Sequence, residues 1–300
     1  MTDQLQNVTI WTAMVTPFNT EGKLAIDKVG PLVDYLLANE TEGLVVAGTT
    51  GESPTLNREE ELELFKEVIR CVDGRVPIIC GVGTNDTAET VKFIKQVAEL
   101  DGISAGLCVV PYYNKPSQEG MYRHFKTLSE ASNLPIMLYN VPGRTGVSLS
   151  VETTLSLAQL PNIIGTKDCQ GLEAIAELVE CAPDDFLIYT GEDALAMPAK
   201  IIGATGVISV ASHVVGKEMF AMYQAIQLGD LIKAAKYHRV LLSTYQAVFS
   251  CPSPSPVKAI LNQWGIEVGE PRLPMVACTN DETMDILTKI NQSKQIINLY

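Results

Sequence analysis

Lys167 closes an apolar run, Asn162-Ile163-Ile164-Gly165-Thr166, and is followed at once by Asp168. A lysine beside a strand is ordinarily a solvated gatekeeper. If the run is a parallel strand, its carboxyl end is where α/β folds place their chemistry. An amine held against apolar walls gives up its proton and becomes a nucleophile toward a ketone. Addition followed by loss of water gives an imine. The protonated imine withdraws electrons, so the neighbouring carbon is readily deprotonated to an enamine.

Other apolar runs end in groups suited to that chemistry. Gly48-Thr49-Thr50-Gly51-Glu52 offers two glycines that let backbone N–H groups approach a ligand, and two hydroxyls that bind a carboxylate or relay a proton. Elsewhere stand Pro111-Tyr112-Tyr113-Asn114-Lys115-Pro116, Tyr139-Asn140-Val141-Pro142-Gly143-Arg144-Thr145-Gly146 and Gly191-Glu192-Asp193. Each has an ordinary reading by itself: a structural Gly-Thr turn, a core tyrosine, a solvated arginine. As a set they are coherent, because phenols and hydroxyls move protons while arginine holds a carboxylate in two-point geometry. No nicotinamide, thiamine or metal is needed.

Eight short runs rich in β-formers carry these motifs: 8–17, 43–47, 77–83, 106–111, 135–141, 162–167, 185–191 and 205–210. Most are continuously apolar, which suits strands buried on both faces. Between them apolar residues recur every three or four positions, as in Leu32-Val33-Leu36-Leu37 and Val91-Ile94-Val97-Ala98. Asn57, Thr87 and Ser117 precede acid-bearing segments and read as N-caps. Eight strand-plus-helix units predict a closed (β/α)8 TIM barrel. An open doubly wound sheet would announce a phosphate-binding Gly-x-Gly-x-x-Gly after its first strand, where Val15-Thr16-Pro17-Phe18 stands instead. Beyond Gly216 only helical patterns remain, 218–228, 231–249, 256–264 and 282–291. The expected organisation is therefore a catalytic barrel over 1–227 and a C-terminal helical extension over 228–300.

The 300 residues are 46% hydrophobic and 19% charged, with a formal net charge of −13. Such a chain buries a large core, and a phosphate backbone would repel it, which argues against nucleic acid as a partner. Seven scattered cysteines suggest reduced thiols and a cytoplasmic location. Neither they nor the three histidines show the close spacing of a metal cage, so no metal is expected. No run is long and apolar enough to span a bilayer. His213 reads as a buried, hydrogen-bonded side chain. Asp168 either tunes the field at Lys167 or pairs with a neighbour.

The motifs 48–52, 139–146 and 165–168 are jointly specific, and on them the chain resembles the dihydrodipicolinate synthase / N-acetylneuraminate lyase family over nearly its whole length. The resemblance implies a class I aldolase with no cofactor beyond a covalent Lys167–pyruvate imine. It is most similar to members that condense pyruvate with L-aspartate-4-semialdehyde on the route to diaminopimelate and lysine. It implies Lys167 as the Schiff-base residue, Tyr139 as proton donor and acceptor, and Thr49 as the link from Tyr139 to Tyr113 of a neighbouring subunit. Thr50 would bind the pyruvate carboxylate, Arg144 the semialdehyde carboxylate, and Gly191 and Ile208 would border the pyruvate pocket. A homodimer or homotetramer follows. The alternatives are a sibling lyase acting on a sugar acid, and a non-catalytic barrel. Some relatives are inhibited by lysine, and the corresponding positions here are Ser53, Pro54, Arg58, Glu61, Asn85, Glu89 and Tyr112. Arg58 and Glu61 stand where several inhibited members carry histidines, so feedback is expected to be weak or absent.

Overall fold

A computed structural model describes residues 5–298. Each of the eight expected runs coincides with a strand, β4 starting one residue before its run and β6 ending one residue past it: β1 (Ile10–Ala13), β2 (Gly43–Val46), β3 (Ile78–Gly81), β4 (Ala105–Val109), β5 (Ile136–Asn140), β6 (Ile163–Asp168), β7 (Leu187–Thr190) and β8 (Gly206–Ser209). They close in sequence order into a barrel, with parallel ladders between neighbours. All the strands but β6 are shorter than the runs that announce them. Pro17, Pro77, Pro111 and Pro135 flank those runs and have no N–H to give to a ladder.

The described chain gathers into two compact units, residues 5–9 with 77–208 and residues 10–76 with 209–298. In the first, β3–β8 alternate with helices whose apolar stripes face inward, as with Phe93, Ile94 and Val97 or Phe125 and Leu128. The buried Tyr189 hydroxyl donates to the carbonyls of Leu5 and Val8 at 3.0 and 2.9 Å, fixing the entry of the chain. Asn57 and Ser117 cap their helices as expected, Asn57 in a full capping box with Glu60. At the third site the cap is Asp86, whose carboxylate takes the N–H groups of Ala88 and Glu89. Thr87 is the first helical residue instead. An aspartate accepts more strongly than a threonine hydroxyl.

The second unit holds β1, β2 and the C-terminal helices Ser212–Gln227, Leu231–Ala247, Ser255–Gln263 and Asn280–Ile297. The first and last of these start earlier than their apolar stripes suggested. The last begins at a capping box between Thr279 and Glu282. Helices 231–247 and 280–297 are stitched together by the buried hydroxyls of Thr244 and Ser293, 3.0 Å apart. The expected 227/228 boundary falls between two helices of this unit. No helix is long and apolar enough to cross a membrane among the described residues.

Candidate active site

Lys167 lies one residue from the end of β6 and is only 7% exposed. In the β5–β6 ladder it pairs with Tyr139, and its Nζ sits 4.4 Å from the centre of the Tyr139 ring. Tyr139 is buried as well. The amine therefore rests against an aromatic wall with a phenol on the next strand, the environment that an imine-forming lysine requires. Gly191, after β7, makes room for it. A Cβ built there would overlap the Cys169 sulfur and stand 2.8 Å from Lys167 Cε. Cys169 itself is a neutral thiol, pushed up to about 12 chiefly by burial, against the pull of the Lys167 charge. Ile208 is fully buried in β8.

Asp168 is not the counter-ion of Lys167 but a clamp between strands. It accepts from the Gln170 N–H at 2.7 Å, the Asn140 amide at 2.9 Å and the Gln170 amide at 3.0 Å. Asn140 also exchanges two hydrogen bonds with the Leu149 backbone, both 3.0 Å. The loop that carries Arg144 is thus tied to the strand that carries Lys167. Arg144 is exposed on the short helix Pro142–Thr145. The Tyr113 N–H donates to the Thr145 carbonyl at 3.4 Å, so the two loops are neighbours. Tyr113 is 88% exposed and, like Lys115, has a left-handed backbone, φ 72° and 49°. Such a conformation costs of order 1–3 kcal/mol for a non-glycine residue and marks functional loops. Asn114 and Asn85 hold this loop, the first donating to the Asn85 carbonyl at 2.9 Å and the second to the Tyr112 carbonyl at 3.1 Å.

In the other unit, Thr49 and Thr50 occupy the turn after β2. Gly51 has no room for a side chain against the Ala47 backbone, 3.0 Å away. Ala47 and Glu52 both have positive φ. What fixes this strained turn is a buried ion pair invisible in the motif. The Lys258 ammonium donates to Glu52 at 2.9 Å and to the carbonyls of Thr16 and Glu270, and it lies 4.4 Å from the centre of the Phe18 ring. Glu52 also accepts the Arg272 N–H at 2.8 Å. Burial pulls the Lys258 pKa down despite the carboxylate beside it. Glu52 stands in the Gly48–Glu52 motif without an assigned role, and Lys258 carries no motif at all. The available signal was a lone lysine within an otherwise apolar helical stripe.

The dihydrodipicolinate synthetase family model matches residues 6–293. A curated 4-hydroxy-tetrahydrodipicolinate synthase of Enterococcus faecalis is 62% identical over 94% of this chain and 98% of its own length. The chain belongs to the dihydrodipicolinate synthetase family. Among solved structures, a dihydrodipicolinate synthase of Bacillus anthracis aligns with TM-score 0.92 and 45% identity, covering 95% of this chain and 98% of that one. The Cyanidioschyzon merolae family member, solved with lysine bound, aligns with TM-score 0.93 and 38% identity, covering 96% and 99%.

The residues expected to correspond to the lysine site of some relatives fall in two groups. Asn85, Glu89 and Tyr112 lie in the first unit, where Asn85 touches the Tyr112 backbone and Glu89 is paired with Lys92. Ser53 and Pro54 form a short 3-10 turn in the second unit, followed by Arg58 and Glu61 on the next helix. Glu61 is 3% exposed and receives the Arg58 guanidinium at 2.6 Å. Burial pushes its carboxyl up to about 7, and Arg58 offsets this only in part. His213 is buried and satisfied: Nδ1 donates to the Val210 carbonyl at 2.8 Å and Nε2 accepts the Val15 N–H at 3.2 Å. Burial lowers its pKa to about 4, so it is a neutral structural group.

Proposed function

We propose that this family member acts as a 4-hydroxy-tetrahydrodipicolinate synthase, a lyase of the class I aldolase type that joins pyruvate to L-aspartate-4-semialdehyde. The observation that carries the reading is Lys167, buried at the end of β6 with its amine against the Tyr139 ring. The curated relatives at 50–62% identity bear the synthase name rather than that of a sugar-acid lyase.

In the proposed cycle the Lys167 amine adds to the pyruvate ketone, and Tyr139 gives its phenol proton to the departing hydroxyl, so that water leaves and a protonated imine and a phenolate remain. Tyr139 removes a proton from the methyl carbon, and the enamine so formed attacks the aldehyde carbon of the semialdehyde. A new C–C bond forms, and the aldehyde oxygen takes up the proton that the phenol returns. Water then adds to the imine carbon, gives its proton to the phenolate, and the C–N bond breaks to free the product and the Lys167 amine. The enzyme's own amine carries the electron sink, so the scheme uses no separate cofactor. By the family motif, Thr49 relays protons between Tyr139 and Tyr113, and Thr50 holds the pyruvate carboxylate. Arg144, on an exposed turn, receives the semialdehyde carboxylate, and Gly191 and Ile208 border the keto acid. The projected phenol of Tyr113 supports its donation to a neighbouring subunit, hence at least a homodimer. Borohydride reduction in the presence of pyruvate, followed by mass mapping, tests the reading. A pyruvyl adduct on Lys167, lost in Lys167→Ala together with consumption of both substrates, is the expected result. Turnover without the adduct, or an adduct on another lysine, overturns it.

A further inference from the structure

Cys251, Cys278 and Glu282 are distant in sequence, yet their sulfur and carboxylate ligand atoms all lie within 4.8 Å of one another. Cys251 stands in the loop after helix Leu231–Ala247. Cys278 precedes the N-cap Thr279 of helix Asn280–Ile297, and Glu282 is in its first turn. All three belong to one unit, and the aldol chemistry uses none of them. Both thiols are partly buried and the carboxylate faces solvent, so an ion has an entry path. One oxygen of Glu282 is held by the Thr279 N–H and hydroxyl at 2.7 and 2.9 Å, which fixes the side chain, and the carboxylate also takes a hydrogen bond from the Cys251 thiol.

A tetrahedral ion with sulfur near 2.3 Å and oxygen near 2.1 Å sets its ligand atoms roughly 3.5–3.8 Å apart. The cluster needs a contraction of at most about 1.3 Å to reach that spacing. Two thiols side by side have another use, a disulfide, which oxidation of the metal-free protein distinguishes from a metal site. A divalent cation supplies the positive charge that the three groups lack.

We propose that Cys251, Cys278 and Glu282 form a binding site for one thiophilic divalent cation of the zinc class, with water as the fourth ligand. Each thiol releases its proton to solvent as its sulfur–metal bond forms, and the bound ion ties the loop after helix 231–247 to the start of the last helix. Sequence spacing could not show the site, since its ligands follow no close-spaced motif.

The test is titration of the full-length, reduced protein with Cd2+, read by thiolate-to-metal charge-transfer absorption, with Zn2+ as competitor. One equivalent per chain is expected, displaced by zinc, and lost in the Cys251→Ser and Cys278→Ser variants. Glu282→Gln keeps the capping box, which accepts either side chain. It is expected to bind at least about tenfold more weakly, since losing even an outer-shell partner costs that much. The wild-type titration decides even if a variant does not fold. Absence of stoichiometric binding, binding that survives loss of both cysteines, or conversion of the pair to a disulfide by dilute peroxide with no metal uptake overturns the site.

Discussion

Gly191→Ala tests whether the Lys167 arm is held by the space that a glycine leaves. Gly191 is outside the left-handed region, so an alanine is strained there only by what its methyl meets. That methyl would overlap the Cys169 sulfur and stand 2.8 Å from Lys167 Cε. Carbon atoms approach comfortably to about 3.5–4.0 Å, so the lysine arm must retreat by roughly 0.7–1.2 Å. A flexible side chain makes that move at little cost to folding. Chemistry is less forgiving: a displacement of about 1 Å at the reacting centre costs on the order of 100-fold in rate, or about 2.7 kcal/mol in the barrier. The expected outcome is a kcat/KM about 100-fold lower, slower borohydride trapping of pyruvate, and an unfolding midpoint close to that of the parent. Gly143→Ala is the control, because nothing lies within 4 Å of a methyl at that position in the Arg144 loop. If Gly191→Ala turns over within the scatter of this control, the packing argument for the nucleophile is wrong.

Lys258→Met leaves the Glu52 carboxylate buried without its cation and is expected to destabilise by about 3–5 kcal/mol, read by chemical denaturation, with pyruvate affinity falling too. Full pyruvate affinity in a folded Lys258→Met protein would show that the pair does not support the Thr49–Thr50 turn. Asp168→Asn sets a new amide donor against those of Asn140 and Gln170, and Asn140 cannot turn over without losing both bonds to Leu149. A loss of about 1–3 kcal/mol is expected from this near-isosteric change, and a neutral result removes the clamp. Glu61 keeps its proton in the folded state up to about pH 7, whereas the unfolded chain loses it near pH ~4.3. Stability therefore falls as pH rises across that window and levels above it, and Glu61→Gln is expected to flatten the slope. L-Lysine is expected to inhibit weakly or not at all, because Glu61 is already engaged by Arg58; strong inhibition at low concentration refutes this.

The barrel and the juxtaposition of Lys167 with Tyr139 were legible because the strands that build the fold also display these side chains. Eight apolar runs punctuated by Gly, Pro, Asn and Thr mark strands buried on both faces, and each run ends where a side chain is displayed at the strand's carboxyl end. Lys167 and Tyr139 stand near the ends of adjacent runs, and the ladder makes them partners. Helix starts were less exact. Asp86 and Thr87 are adjacent and both can cap, and their order along the chain does not say which oxygen reaches the N–H groups.

The groups that hold the site in place were not legible, for a reason that local pattern cannot remedy. Hydrophobic periodicity reports which face of an element is buried, but not which polar atom finds a partner across the fold. Lys258 and Glu52 are far apart in the chain, and each alone would be read as a surface charge; only their burial together makes them an anchor. Asp168 shows the point most sharply. Its place next to Lys167 invites the reading of a counter-ion, and a counter-ion would favour the protonated amine that cannot attack a ketone. The carboxylate is instead occupied by one backbone N–H and two side-chain amides, so its charge is spent on joining β5 to β6. Lys167 keeps an aromatic neighbour, and the acid beside it in sequence serves to hold it there.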